Sequence, residues 1–119
     1  MTEDETAKVA AEFTELCRQG KDREAAERFW SDDVVNIESM PGPMRHLEGK
    51  EAIFRKHAWW NENAEMHGGK VEGPFVNGDS FAVVFELDVT MKGSPRQTMR
   101  EVAVYKVRNG KVVEERFFG

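Results

Sequence analysis

Hydrophobic positions along this chain follow two rhythms, a helical one through most of the first half and a strand-like one through the second. In the stretch 48–67, EGKEAIFRKHAWWNENAEMH, the residues Ile53, His57, Trp60 and Ala64 recur four, three and four apart and share one helix face. The spacing predicts one long helix ending near Ala64, with a strand entry after it. A buried helix face is normally apolar along its length. This one carries a histidine, with Trp59, Asn61 and Asn63 close by, so the other elements are expected to wrap it.

Upstream, Thr2 and Glu5 form a capping-box pattern, and the helix they open carries Val9, Phe13, Leu16 and Cys17 on one stripe, with Gly20 as its stop. Asp22 can cap a second, short helix whose buried side is Ala25, Ala26, Phe29 and Trp30. Ser31-Asp32-Asp33 breaks that pattern. Residues 34–38 read as a strand with Val35 and Ile37 on one face and Val34, Asn36 and Glu38 on the other. A loop rich in proline and glycine follows, with room for a short strand near residues 45–47.

After the long helix come strands at 66–76, bent at Gly68-Gly69, then 81–90, 97–107 and 111–118. Asn77-Gly78-Asp79, Gly93-Ser94-Pro95 and Asn109-Gly110 supply the turns between them. The expected fold is α+β: three helices on a curved antiparallel sheet, forming a cone-shaped barrel with an internal pocket. The segment 81–85 is apolar on both parities, so its outer face calls for cover. A homodimer through the outer sheet face is the simplest cover.

Composition narrows the partners. The chain has 119 residues, of which 33% are charged and 39% hydrophobic, consistent with one globular domain spanning 1–119. A net charge of −5 without a basic run argues against nucleic acid and anionic membrane surfaces. No apolar run approaches the ~20 residues of a membrane span. The acidic, polar N-terminus does not read as a targeting peptide, and the lone Cys17 rules out an internal disulfide, so a cytoplasmic location is expected. No metal-ligand spacing is present among the three histidines, and neither a metal nor another cofactor is expected.

The front segment CRQGKDREAAERFWSDDVVNIES, the GKEAI helix start at 49–53 and the closing REVAVYKVRNGKVVEERFF resemble the SnoaL-like group of the nuclear-transport-factor-2-like superfamily. The resemblance covers nearly the whole chain and implies a cystatin-like α+β fold. That superfamily hosts isomerases, cyclases, dehydratases, epoxide hydrolases and non-catalytic modules on one scaffold, so the resemblance implies no single activity. Against ketosteroid isomerase, Glu38 falls at the position of the acidic base. Phe13 stands where that family has an oxyanion-hole tyrosine, and Ala103 or Val102 where it has a protonated aspartate. One element of three carries over, and steroid isomerase activity is not expected. SnoaL-like polyketide cyclases need only one acidic residue in the pocket, a lighter demand.

On these grounds Glu38 is the first candidate for acid/base proton transfer on a small apolar ligand. Glu101 shares a strand face with Met99, Ala103 and Tyr105 and needs a partner if buried, either Arg116 or His57. His57 can pair with Glu38 or Glu101 for proton transfer near neutral pH. Trp60, His67, Phe13, Asn36 and Tyr105 are the expected ligand-binding residues. Each has a plainer reading as well: a rim carboxylate, a structural ion pair, a core-boundary histidine, or core aromatics, the last including Trp30, Phe29 and Phe75. A non-catalytic binding or dimeric interaction module is the alternative to an enzyme.

Overall fold

The computed structural model describes residues 2–119, without the Thr2 side chain, so the expected Thr2–Glu5 capping pair lies outside the described residues. The elements run α1 (Thr2–Arg18), α2 (Asp22–Phe29), β1 (Trp30–Ile37), β2 (His46–Glu48), α3 (Lys50–Asn63), β3 (Ala64–Asn77), β4 (Ser80–Met91), β5 (Arg96–Arg108) and β6 (Lys111–Phe118). Helix α1 stops as its sequence predicts. Gly20 takes φ 77°, and the amides of Gly20 and Lys21 return to the carbonyls of Cys17 and Leu16 at 3.0 and 2.8 Å. This 6→1 and 5→2 closure needs a left-handed residue, which glycine adopts without strain.

The α+β architecture with three helices and a curved sheet stands, with two corrections. The six strands are ordered β2-β1-β6-β5-β4-β3 and do not close into a barrel. The sheet is mixed, because β1 lies parallel to β6 while every other pairing is antiparallel. The whole of α3 and the β3–β5 meander separates β1 from β6 in sequence, and such a long connection permits a parallel return. Strand β1 also starts earlier than expected: Trp30 already pairs with Val112, and a register shift before Val35 absorbs Ser31-Asp32-Asp33. Asp22 is the first residue of α2 rather than its cap. That position belongs to Lys21, which makes no side-chain capping bond.

The core lies between the helices and the inner sheet face. Phe13 of α1 meets Tyr105, Phe81 and Phe29 with ring centroids at 4.9, 5.9 and 6.3 Å, and Phe81 stacks on Tyr105 at 4.8 Å. Val83 and Ala103, opposite each other on β4 and β5, are fully buried beside them. The alternation along β4 therefore sends Phe81 and Val83 inward and Ala82 and Val84 outward. Outside, Val84 lies opposite Val102, Ala82 opposite Val104, and Val102 opposite Phe118. Phe75, expected in the core, joins this outer face opposite Ala82 and is 57% exposed; Phe118 is 49% exposed. Among the described residues, no helix is long and apolar enough to cross a membrane.

Candidate functional site

Helix α3 lays Ile53 on the core and, one turn on, brings Lys56 into the same buried face. A lysine 5% exposed has to find acceptors for its ammonium group. Lys56 Nζ donates to Asn36 Oδ1 and to Glu38 Oε1. The Asn36 amide then points its other end away, and Nδ2 donates to Glu115 Oε1 at 2.6 Å. Asn36 and Glu115 are register partners in the parallel β1–β6 pair, so the crossover itself sets them side by side. The result is a buried chain Glu38–Lys56–Asn36–Glu115, with the Phe117 ring 5.8 Å from the ammonium.

Beside this chain opens a cavity of about 160 Å³. Phe13, Trp30, Phe85, Leu87 and Phe117 give it apolar walls, and Cys17, His57 and Tyr105 contribute polar groups. Three carboxyls, Asp22, Glu101 and Glu115, also face it. Burial drives the electrostatics. Desolvation raises the Glu115 carboxyl to about 7, against the opposing pull of the Asn36 amide and the Lys56 charge. Glu101 is raised by desolvation and by the nearby Glu38 charge. Asp22 is raised by desolvation, opposed by the hydrogen-bonding Cys17 thiol, whose own proton affinity burial pushes up. Desolvation and the neighbouring Lys56 lower His57 to about 4, so its imidazole is neutral at physiological pH.

Some of the residues expected from sequence converge here. Glu101, His57, Phe13 and Tyr105 line the cavity. Asn36 is buried behind it as the link between Lys56 and Glu115. Glu38 sits outside the lining, its side chain 28% exposed, as the counter-ion of Lys56. Among the described residues His57 makes no hydrogen bond to a carboxylate, and its lowered proton affinity departs from the expected couple titrating near neutrality; the ring lies 5.7 Å from Trp30 and 6.5 Å from Phe54. Trp60 packs edge-on against Trp59, centroids 5.7 Å apart, outside the lining. His67 is exposed on β3, 2.7 Å from Thr90 Oγ1.

Sequence reasoning missed Lys56, Asp22 and Glu115. Lys56 stands three residues after Ile53, on the very stripe that was read, and a charge at that spacing was the available signal. Glu115 was hidden by an irregularity. Val112 pairs with Val107 but Glu114 with Lys106, so Val113 is an extra residue that changes the parity of β6. Beyond it, Glu115 is buried and Phe117 lines the cavity, while Glu114, Arg116 and Phe118 share the outer side.

Two stability measurements follow from this geometry. Glu38→Gln leaves the buried Lys56 cation without its counter-ion and is expected to cost about 2–3 kcal/mol in urea unfolding, below the full range for buried pairs because Glu38 is partly solvated. Unchanged stability would show that the pair does not hold Lys56. Glu115, raised from 4.5 to about 7, keeps its proton in the folded state where the unfolded chain has lost it. Across that window the native state binds the extra proton, so stability falls as pH rises, by about 3 kcal/mol in total. Glu115→Gln removes this loss, and its melting temperature should gain on the wild type between pH 5 and pH 8. A difference that is flat with pH would count against an elevated Glu115. The depressed His57 acts in the opposite sense, losing stability as pH falls from 6.5 towards 4, and cancels in that comparison.

Comparison with known proteins agrees with the architecture. The family model for the SnoaL-like domain matches residues 4–119. A crystal structure from Mesorhizobium loti, provisionally named a SnoaL-like polyketide cyclase with carbohydrate phosphatase also in its name, superposes with TM-score 0.93. It is 53% identical, over 95% of this chain and 97% of that one. A second Mesorhizobium loti structure, an NTF2-like protein of unknown function, has TM-score 0.70 at 19% identity over 99% and 93%. A Bacillus subtilis structure provisionally named an isomerase has TM-score 0.71 at 14% identity over 98% and 87%. The two distant structures show the fold alone. No curated protein matches the chain. With its sequence matched from residue 4 to the last residue and its architecture shared, the chain belongs to the SnoaL-like domain family.

Proposed function

We propose that this chain is an isomerase- or cyclase-type enzyme that moves a proton on a small, largely apolar carbonyl compound. The observation that carries this reading is Glu115: a fully buried carboxyl on the wall of an aromatic cavity, with a proton affinity near neutral pH. A base of that strength holds an abstracted proton and releases it again at pH 7. In its charged form Glu115 takes the proton from the carbon next to the carbonyl, leaving an enolate. Returning the proton to another carbon completes an isomerisation; attack of the enolate carbon on a second carbonyl of the same molecule closes a ring. Glu101, also raised, is the second carboxyl in reach of the cavity and serves as proton donor. Glu38, the first candidate from sequence, has the supporting role of neutralising Lys56. The polyketide cyclase name of the 53% identical Mesorhizobium loti protein is compatible with this chemistry. The single half-buried cysteine fits a reducing cytoplasm.

The test is exchange of the α-protons of cyclohexanone into heavy water, followed by NMR. The wild type should accelerate exchange, with a rate that rises through pH 7. Glu115→Gln should lower it by about 10²–10⁴-fold while still binding the ketone. A ketone that binds without exchange at any pH would overturn the proposal.

The outer sheet face supports a second reading, that the chain pairs with a copy of itself. Phe75, Ala82, Val84, Val102, Val104 and Phe118 form a contiguous apolar surface there. Burying it in an isologous dimer removes that surface from water. Sedimentation at micromolar concentration should show a dimer, and Phe118→Glu should weaken it at least tenfold. A strictly monomeric wild type would end this reading.

A further inference from the structure

Three features of the cavity restrict what it can hold, provided it is the ligand seat proposed above. The first is size: an apolar cavity of about 150 Å³ accepts one benzene ring, and this one measures about 160 Å³. The second is charge. Three carboxyls face the cavity, and no lysine or arginine lines it among the described residues. Lys56, the nearest cation behind the wall, is already held by Glu38 and Asn36. An anion entering would meet like charge and no free counter-ion.

The third is an unmet hydrogen bond. Trp30 is 2% exposed, lines the cavity, and its Nε1–H makes no hydrogen bond among the described residues. Its one acceptor in range is the Glu115 carboxyl, whose charged form it favours as a hydrogen-bond donor does, but the two do not reach hydrogen-bond geometry, so the donor is poorly satisfied. A buried donor without a well-formed hydrogen bond costs free energy, up to that of a lost hydrogen bond. An acceptor on a ligand would relieve it. We infer that the cavity takes a small, neutral, single-ring carbonyl compound whose oxygen accepts the Trp30 indole N–H. Trp30 then fixes the carbonyl beside Glu115, so that the carbon next to it faces the carboxyl. The size limit excludes fused multi-ring molecules from lying wholly within the cavity.

The experiment uses three ring compounds: cyclohexanone, its near-isostere methylenecyclohexane, which lacks the acceptor, and cyclohexanecarboxylate. The chain has three tryptophans, so a ¹⁵N-labelled sample gives a short indole region in which Trp30→Phe identifies the Trp30 signal. Cyclohexanone should move the Trp30 indole proton downfield, and methylenecyclohexane should not. Trp30→Phe should bind the ketone about tenfold more weakly and the hydrocarbon unchanged. Cyclohexanecarboxylate should bind at least tenfold more weakly than the ketone. Ketone binding that leaves the Trp30 signal in place, a carboxylate that binds more tightly, or no ketone binding at all would overturn the inference. If Trp30→Phe does not fold, the wild-type titration decides alone, the Trp30 signal being assigned through the Phe54 ring stacked on it, centroids 5.4 Å apart. The outcomes separate from those of proton transfer. A moved Trp30 signal without α-proton exchange sinks the enzyme reading only, and exchange without a moved signal sinks this inference only.

Discussion

Burying the Lys56 ammonium beneath α3 forces three other side chains into place. An unpaired cation there would cost several kcal/mol, so Glu38 turns inward to neutralise it and Asn36 offers its carbonyl. Because the Asn36 oxygen is committed to Lys56, its amide nitrogen has only one direction left, towards Glu115. The orientation of one carboxyl at the cavity wall is thereby set from a helix that does not supply it. The arrangement joins α3, β1 and β6, the elements that close one side of the fold.

The same network explains why carboxyls within one small region differ. Glu115 sees the Lys56 cation only through the Asn36 amide, and its side chain is fully buried, so desolvation wins and the proton is held to about pH 7. Glu101 is raised by burial and by the Glu38 charge together. His57 is pushed the other way, because burial and Lys56 both oppose a second positive charge. At neutral pH the cavity therefore presents a neutral imidazole, a neutral phenol and a carboxyl near its midpoint.

The sheet separates two tasks. Its inner face carries the aromatic core and the cavity wall, with Phe81, Ala103 and Tyr105 packed under α1. Its outer face carries a second apolar set through Val84, Val102 and Phe118. The parallel β1–β6 pairing is the joint on which the inner side depends, since it alone brings Asn36 beside Glu115.

Much of this was legible in the chain. The stripe of Val9, Phe13 and Leu16, the Gly20 stop, and the Asn77-Gly78 and Asn109-Gly110 turns are local features, and they determined the helices and hairpins. Alternation determined that Val34, Asn36 and Glu38 share one face of β1 and that Glu101, Ala103 and Tyr105 share one face of β5; which of those faces is buried was decided by the packing. The resemblance to the SnoaL-like group rested instead on the particular residues of segments 17–39, 49–53 and 100–118, and the family model that matches residues 4–119 agrees with it. What only the tertiary structure decided was non-local: which strand returns beside β1 and in which direction, where the extra residue Val113 changes the parity of β6, and which charge Lys56 answers. Local propensity acts over one turn of helix or one strand pair, whereas the proton affinity of Glu115 depends on how completely it is buried. That burial is created by residues from α1 to β6 brought together from distant parts of the chain.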